Sequence, residues 1–175
     1  MMQDAQHAPD AVAIRTVTAF DPALLAELHA AIFQAPWDQP WSAQGFAEVL
    51  AMPGACGWLL IESEAPVGFM LARFIRDEGE ILLTGTLPRA QRRGHAARMM
   101  RALLDSARAA GVTALFLEHA ASNHAAGALY RRFGFSPIGR RRAYYERRGG
   151  GREDAVTLRC DLSAAEIDRQ NEQPA

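Results

Sequence analysis

Lysine is absent from this chain of 175 residues, and all 19 of its basic side chains are arginines. Cysteine occurs only at Cys56 and Cys160; one disulfide is possible, but neither the spacing nor the expected compartment argues for it. No cluster of cysteine and histidine has metal-ligand spacing, so we expect no bound metal. Apolar runs stay far below the roughly 20 residues that a membrane helix needs, and residues 1–10 contain no apolar signal core. These absences predict a cytoplasmic protein without a membrane partner.

The net charge of −1 conceals an uneven distribution along the chain. Residues 88–152 hold fourteen arginines against three acidic residues, whereas the segments before and after them are acidic. Such a basic region favours an anionic ligand. Nucleic acid is a competing interpretation. However, the arginines lack interleaved aromatic residues apart from Tyr144 and Tyr145, and no nucleic-acid-binding motif is present, so we expect no nucleic acid partner.

Length and periodicity predict one domain over residues 1–175, with a core at about 12–162 and flexible ends at 1–10 and 164–175. Apolar patterns predict strands at 12–17, 58–61, 67–71, 81–87, 114–118, 135–146 and 155–162. Stripes at helical spacing predict helices at about 21–33, 42–50, 95–110 and 125–133, with Asp21 and Ser42 as N-caps. Turns are expected at 64–66 and 147–151. This order predicts a mixed α/β fold that is antiparallel at the front, with a parallel strand pair joined by the third helix.

Residues 91–96, Gln-Arg-Arg-Gly-His-Ala, lie at the predicted junction between a strand and a helix. The first turn of a helix presents unpaired N–H groups and the positive end of the helix dipole, which suit a phosphate. Gly94 lets the backbone come close, Ala96 keeps the next turn slim, and Arg92 and Arg93 add positive charge. By itself such a segment is more often an ordinary turn.

Further motifs follow this segment at regular distances. Glu118 ends a short apolar strand, residues 121–123 read Ala-Ser-Asn, and residues 128–135 read Ala-Leu-Tyr-Arg-Arg-Phe-Gly-Phe. The order resembles the GNAT superfamily of N-acetyltransferases, which has a pyrophosphate loop, an Asn after the next strand and then Leu-Tyr-x-x-x-Gly-Phe. Pro-Trp-Ser at 40–42 and the segments 141–145 and 151–155 resemble the RimI-type branch, which acetylates the N-terminal alanine of a small-subunit ribosomal protein. The resemblance covers about residues 12–162.

The resemblance implies a GNAT fold, in which a mixed, mostly antiparallel sheet has a central splayed parallel strand pair and about four helices. It implies acetyl-CoA as the acetyl donor, with the pantetheine arm in the gap between the splayed strands. It assigns the role of catalytic base to Glu118 and that of catalytic acid to Tyr130. The cofactor-binding positions that it implies are Thr84, Gly85, Thr86, Arg92, Arg93, Gly94, His95, Ala96, Ala97 and Asn123. The substrate-binding positions are Trp41, Tyr144 and Tyr145.

Several of these residues also have a purely structural interpretation. Glu118 can be an ordinary polar strand end, and His119 is a rival base because it can titrate near neutrality, although it should face the opposite side of the strand. Tyr130 can pack its ring in the core. Asn123 can cap the helix that follows it, and Trp41 can belong to the core.

The resemblance predicts an enzyme that moves acetyl from acetyl-CoA to a protein N-terminal amine, most specifically the N-terminal alanine of small-subunit ribosomal protein eighteen. Two alternatives stay open. One is an acetyltransferase for another amine, such as a Lys side chain, a polyamine or an antibiotic. The other is a non-catalytic acetyl-CoA-binding module, against which the retention of Glu118, Asn123 and Tyr130 speaks. We expect a monomer or a weak dimer.

Overall fold

The computed structural model describes residues 11–34, 40–146 and 151–163. The strands in these parts of the chain are β1 Val12–Thr16, β2 Ala55–Glu62, β3 Ala65–Ile75, β4 Glu78–Thr86, β5 Ala114–Ala120, β6 Ser136–Glu146 and β7 Arg152–Asp161. The α-helices there are α1 Pro22–Ile32, α2 Ala43–Leu50, α3 His95–Ala109 and α4 His124–Arg132. A short 3-10 turn at Pro88–Ala90 precedes α3.

The seven strands form one sheet in the order β1-β2-β3-β4-β5-β7-β6. Every neighbouring pair is antiparallel except β4 and β5, which run parallel and are connected by α3. A parallel pair requires such a crossover, because a short turn can only reverse the chain. The last strand, β7, lies between β5 and β6. The predicted mixed, mostly antiparallel sheet with one parallel pair is therefore confirmed.

The parallel strands β4 and β5 separate after a short paired stretch. Their register runs from Glu78 opposite Ala114 to Ile81 opposite Leu117, which is four residue pairs. Past this point, within the described sheet, β4 pairs with β3 alone and β5 pairs with β7 alone. The predicted splay of the parallel pair is thus present, and it opens towards the carboxyl ends of both strands.

Helices cover both faces of the central strands. Consecutive residues are buried in β2 and β3, and since neighbouring strand residues face opposite sides, both faces must be covered. These consecutive buried residues are Trp58, Leu59 and Leu60 in β2 and Phe69, Met70, Leu71 and Ala72 in β3. On one face α1 and α2 pack together, and Phe46 of α2 meets Phe69 edge to face at 5.9 Å between ring centroids.

The third helix covers the opposite face of strands β2, β3 and β4. Its buried side chains recur at helical spacing and are His95, Met99, Met100, Leu103, Leu104 and Ala107. Burying a Met or Leu side chain stabilises a fold by about 1.5–3 kcal/mol relative to leaving it exposed. The helix ends where predicted, and Gly111 follows it in left-handed backbone with φ of 77°. This packing fixes the position of the N-terminal end of α3.

The two predicted N-caps are used differently. Ser42 caps α2 by accepting a hydrogen bond from the Gly45 N–H at 3.1 Å. Asp21 precedes α1, but its carboxylate binds Arg15 at 2.6 Å and the Thr18 N–H at 2.7 Å. Its φ of −95° and ψ of −4° are helical, whereas a capping side chain needs extended backbone. The prediction that Asp21 caps α1 is therefore wrong. The Arg15 guanidinium, with the Thr18 donors, holds the pKa of Asp21 well below its usual range.

The turn between β2 and β3 lies at Ser63 and Glu64, and not at 64–66 as predicted. Both residues have positive φ, at 47° and 66°, which is typical of a two-residue hairpin turn that follows the twist of its strands. Pro66 suggested a turn but lies in β3 opposite Ile61, next to a register shift. Proline is tolerated at such irregular positions of a sheet.

The other predicted elements agree with the observed bounds to within four residues. The predicted ends at 1–10 and 164–175 lie outside the described residues, as does most of the loop at 147–151. Across the part of the chain that the structure describes, none of the helices combines the length and apolar character needed to cross a bilayer.

Candidate active site

The gap between β4 and β5 opens at a bulge in β4. Leu82 is an extra residue in this strand, because the register with β3 shifts between the pairs made by Ile81 and Leu83. A bulge bends the strand that carries it and increases the local twist. Here the bend coincides with the last residue of β4 that pairs with β5. The backbone of residues 82–86 then has one edge that no described strand pairs.

The predicted cofactor-binding residues Thr84, Gly85 and Thr86 lie on this stretch of β4. The hydroxyl of Thr84 donates to the Phe69 carbonyl at 3.2 Å, so its side chain is engaged inside the sheet. Gly85 leaves room for α1, since an added Cβ would lie 2.7 Å from Cγ2 of Ile32. Glycine at this position is thus explained by packing against α1. Contacts to a ligand in the gap would come from the backbone of this stretch.

The loop that enters α3 passes twice through left-handed backbone. Arg92 has φ of 61° and Gly94 has φ of 80°. Gln91 braces the loop by donating from Nε2 to the Thr86 carbonyl at 3.1 Å. Gly94 is the N-cap of α3, and a Cβ added there would meet no atom within 4 Å. The backbone N–H groups of residues 95–97 have no partner within the helix, and a helix start of this kind suits a phosphate.

The side chains of Arg93 and His95 turn towards the end of β2. Nη1 of Arg93 lies 2.7 Å from Oε2 of Glu62, and Nε2 of His95 lies 2.9 Å from Oε1 of the same carboxylate. The charge that Arg93 was expected to offer a phosphate is thus balanced by Glu62, and His95 can contribute only its backbone. Arg92 is exposed beside them.

Glu118 lies on β5 directly after its last pair with β4, at the edge of the gap. The hydroxyl of Thr157 donates to Oε1 of Glu118 at 3.0 Å, and Nε of Arg141 lies 3.0 Å from the same oxygen. The strand is apolar up to this point, but the neighbours of the carboxylate are polar. The side chain is 19% exposed, so a substrate can reach the carboxylate.

Tyr130 is almost fully buried on α4, with 6% of its surface exposed. Its ring packs against Phe135 at 5.8 Å and His119 at 5.9 Å between centroids. Burial raises the pKa of the phenol to about 12, with a smaller contribution from Tyr145. The hydroxyl therefore keeps its proton at neutral pH, which a general acid requires. The packing role and the chemical role are compatible.

Tyr145 connects the surroundings of the two candidate catalytic residues. Burial raises its pKa, and the negative charge of Glu118 raises it further. Tyr145 in turn contributes to the raised pKa of Tyr130. Tyr145 is thus an electrostatic neighbour of both Glu118 and Tyr130.

Tyr144 lies within a bulge of β6, and Tyr145 directly follows it. The register with β7 shifts between Arg141 and Tyr145, and Ala143 within the bulge has φ of 52°. Asp154 holds the bulge by accepting the Ala143 N–H at 2.8 Å. The two tyrosine rings lie at right angles with centroids 5.1 Å apart, and the Arg141 guanidinium lies 5.3 Å from the Tyr144 ring centroid. Tyr145, the first paired residue after the bulge, lies close enough to Glu118 for the carboxylate to raise the pKa of the Tyr145 phenol.

His119, the rival base, packs beneath α4. An added Cβ at Gly127 of that helix would lie 3.2 Å from Cε1 of His119. Nδ1 of the ring lies 2.8 Å from the Ala120 carbonyl. Side chains alternate along a strand, so His119 faces away from Glu118 and its partners, as expected.

Asn123 caps α4. Its Oδ1 accepts the Ala126 N–H at 3.1 Å, so the structural interpretation applies to this residue. The preceding turn is tied to β7, because the Ser122 N–H donates to Oε1 of Glu153 at 2.7 Å. The motif at 151–155 therefore positions the start of α4 as well as the bulge in β6. A contact between Asn123 and pantetheine stays a prediction.

Trp41 packs between α1 and α2. Its ring centroid lies 5.4 Å from that of Phe46 and 6.0 Å from that of His29. The side chain is half-buried at the border of the core, so the core interpretation holds for it. A substrate contact by its exposed part stays a prediction, and the adjoining residues 35–39 lie outside the described chain.

Sequence reasoning missed three side chains of this site. Thr157 lies directly opposite Glu118 in the register of β5 and β7, so the correct strand order would have revealed it. Arg141 was part of a recognised motif, but nothing in the motif connects it to Glu118. Glu62 is separated from its partners by 31 and 33 residues, and no local pattern points to it.

The arrangement fits acetyl-CoA. Gly94 leaves open space at a helix start, and the unpaired edge of β4 offers peptide groups to an amide-bearing arm. Among the described residues, no group of three or more His, Cys, Asp and Glu side chains could hold a metal ion. A splayed sheet with an open helix start beside the gap and a carboxylate at its edge is the arrangement of an acetyl-CoA-dependent acyltransferase.

Comparison with known proteins identifies the family. A sequence model of the acetyltransferase (GNAT) family matches residues 23–135. The chain is 37% identical over 155 residues to N-alpha-acetyltransferase RimI of Mycobacterium tuberculosis, covering 86% of this chain and 92% of the relative. It is 32% identical over 124 residues to the ribosomal protein bS18-alanine N-acetyltransferase of Escherichia coli, covering 71% and 82%. The chain belongs to the acetyltransferase (GNAT) family.

A solved structure supports the same conclusion. The crystal structure of the ribosomal-protein-S18-alanine N-acetyltransferase from Escherichia coli matches with a TM-score of 0.80 at 27% identity, covering 90% of this chain and 98% of that one. The predicted GNAT fold is confirmed. As a member of this family the chain is an N-acetyltransferase, and acetyl-CoA is its acetyl donor.

Proposed function

We propose that this chain is a single-domain N-α-acetyltransferase that acetylates the N-terminal alanine of ribosomal protein bS18. The observation that carries the proposal is the identity of 37% over 155 residues with a relative named N-alpha-acetyltransferase RimI. Relatives named for bS18-alanine acetylation support the same substrate. We further propose that it acts in the cytoplasm as a monomer or weak dimer, without nucleic acid or membrane partners.

Binding of the donor is proposed to use the gap and the loop before α3. The backbone N–H groups of residues 95–97, with Gly94 and the exposed Arg92, would hold the pyrophosphate. The backbone of residues 84–86 and Asn123 would bind the pantetheine arm. The peptide would lie against Tyr144, Tyr145 and the exposed part of Trp41.

Catalysis is proposed to divide two proton transfers between Glu118 and Tyr130. Acetyl-CoA supplies the acetyl group as a thioester. Glu118 accepts the proton that the amine loses as its nitrogen attacks the carbonyl carbon, and Tyr130 gives its phenolic proton to the departing sulfur. An α-amine has an ordinary pKa of about 7.7–8.0 and is partly neutral at neutral pH, whereas a Lys amine near 10.4 is almost wholly protonated. The chemistry therefore favours a protein N-terminus.

A pair of peptides tests the substrate. One has a free N-terminal Ala and an internal Lys, and the control has the same sequence with its N-terminus blocked. Mass spectrometry after incubation with acetyl-CoA should find one acetyl group, on the free N-terminus only. Equal acetylation of both peptides would assign the reaction to Lys side chains. Acetylation of neither peptide, with turnover of a small amine, would reassign the substrate to a polyamine or an antibiotic.

Two variants test the catalytic roles. Glu118→Gln and Tyr130→Phe should each lower turnover by roughly 10²-fold or more, the usual size of general acid–base catalysis. Their affinity for acetyl-CoA should change little. The control is Glu80→Gln, which removes an exposed carboxylate at the paired end of β4 and should keep wild-type turnover. Near-wild-type turnover of both variants would exclude these roles and make His119 the next base to test.

A further inference from the structure

One carboxylate holds both neighbours of Gly94. Oε2 of Glu62 receives Arg93 at 2.7 Å, and Oε1 receives His95 at 2.9 Å. Glu62 ends β2, so it belongs to the first hairpin of the sheet and lies 31 and 33 residues from its partners. The two contacts therefore tie the loop before α3 to the hairpin formed by β2 and β3.

The contact between His95 and Glu62 is largely shielded from water, whereas the Arg93 side chain is 44% exposed. The side chain of His95 is 4% exposed and that of Glu62 is 11% exposed. A carboxylate so far removed from water requires partners, because an unpaired buried charge is strongly destabilising. Nδ1 of His95 is buried without a partner in the described part of the chain, so a proton there would have no acceptor. The geometry therefore assigns the ring proton to Nε2, which donates it to Glu62.

The loop between these contacts has backbone that needs support. Arg92 has φ of 61°, a conformation that a non-glycine residue seldom adopts, and Gly94 has φ of 80°. Glycine could adopt many other conformations, so its own preference does not fix the loop. The contacts of Glu62 with Arg93 and His95 hold the residue on each side of Gly94 and thereby fix the conformation of the loop. The conformation of the loop in turn sets the direction of the N–H groups at 95–97.

We propose that Glu62 is a positioning residue for acetyl-CoA: it holds the loop at 92–95 in the form that accepts the pyrophosphate without touching the ligand itself. The inference rests on the proposed binding of pyrophosphate by this loop. It concerns a residue outside the loop and outside the gap. Binding to a pre-arranged loop is stronger, because less conformational freedom is lost on binding.

Glu62 could also affect binding of the pyrophosphate through its charge, and this effect would change the affinity in the opposite direction. Its negative charge lies close to the proposed site of an anion, so removing that charge should by itself strengthen binding of pyrophosphate. If positioning dominates, removing the carboxylate should instead weaken binding. The direction of the change in affinity thus separates the two effects.

The experiment compares two acetyl donors in the full-length enzyme. Acetyl-CoA carries the pyrophosphate, whereas acetyl-pantetheine carries the same thioester and arm without any phosphate. In Glu62→Gln the KM for acetyl-CoA should rise roughly tenfold, the effect expected for losing a hydrogen bond to a charged group. The kcat with saturating acetyl-CoA should stay within about twofold of wild type, and kcat/KM for acetyl-pantetheine should not change.

Two further variants complete the test. Glu64→Gln removes the same charge from the exposed hairpin turn next to Glu62, and it should leave both donors unaffected. Circular dichroism shows whether Glu62→Gln folds. If it does not, His95→Leu takes its place, because it removes one of the two contacts with Glu62 and keeps the backbone N–H of residue 95. In His95→Leu the KM for acetyl-CoA should rise and the kcat/KM for acetyl-pantetheine should not change.

Three results would overturn the proposal. The first is an unchanged or lower KM for acetyl-CoA in a folded Glu62 or His95 variant. The second is an equal loss with both donors, which would mean a general structural role. The third is that the wild-type enzyme uses acetyl-pantetheine as efficiently as acetyl-CoA. This result would show that the loop does not bind the pyrophosphate, and it would not affect the proposed acetylation of the peptide.

Discussion

The phenol of Tyr130 should lose its proton near pH 12 in the folded protein. Burial of a side chain that is only 6% exposed raises its pKa from 10 to about 12, because the phenolate would lose its hydration. That difference corresponds to about 3 kcal/mol in favour of the protonated form. The perturbation that isolates this effect is Tyr130→Phe, which keeps the ring and removes the ionisable group.

The effect on stability has a definite sign and pH window. Below pH 10 the phenol is protonated in both the folded and the unfolded chain, so the contribution of Tyr130 to stability is fully present. As the pH rises from 10 towards 12, the phenol of Tyr130 ionises in the unfolded chain but stays protonated in the folded protein. The contribution of Tyr130 to stability is therefore lost over this range. The loss relative to Tyr130→Phe should reach about 2 kcal/mol near pH 12.

Two measurements check this prediction. The chain contains three tyrosines, so the tyrosinate absorbance of wild type minus Tyr130→Phe reports one residue. Urea unfolding of both proteins between pH 9 and pH 12 gives the difference in free energy of unfolding. Tyr144→Phe, at a residue that is 47% exposed, is the control and should leave the transition near pH 12 in place. Ionisation of Tyr130 near pH 10 would show that its hydroxyl faces water, and the reasoning from burial would fail.

Three further predictions concern the walls of the site. Gly85→Ala should lower the free energy of unfolding by about 1–3 kcal/mol, because its Cβ would lie 2.7 Å from Ile32; unchanged urea unfolding would contradict it. Asp154→Ala should release the bulge at Ala143 and raise the KM for the peptide several-fold, with the KM for acetyl-CoA unchanged in steady-state kinetics. Gly94→Trp should abolish acetyl-CoA binding in calorimetric titration, and retained affinity in a folded variant would exclude this loop as the phosphate site.

The sequence contains enough information for the fold because its elements have strong local signals. The stripe of Met99, Leu103 and Ala107 marks α3, and continuous apolar runs mark the central strands. The splay between β4 and β5 is different. It follows from a one-residue bulge at Leu82, which lies between the apolar residues Ile81 and Leu83, so the periodicity cannot reveal which residue is extra. Only the resemblance to a family indicated the gap.

Some residues of the candidate site could be predicted from the sequence, and others could not. Glu118, Asn123 and Tyr130 belong to motifs and could be named from the sequence. The partners of Glu118 could not, because Thr157 and Arg141 reach it only through the order of β5, β7 and β6. The turn at residues 64–66 was misplaced for a related reason: the local signal of Pro66 was outweighed by pairing with β2.

Two bulges shape the site independently of each other. The bulge in β4 opens the gap between β4 and β5, and its position is fixed by pairing with β3. The bulge in β6 directly precedes Tyr145, and Asp154 of β7 holds the bulge. Glu118 lies on β5, which is the strand between them, bordered by β4 on one side and β7 on the other. We therefore expect a change in the bulge of β6 to affect the proposed amine side of the site and to leave the proposed donor side in place, with Glu118 on the strand between them.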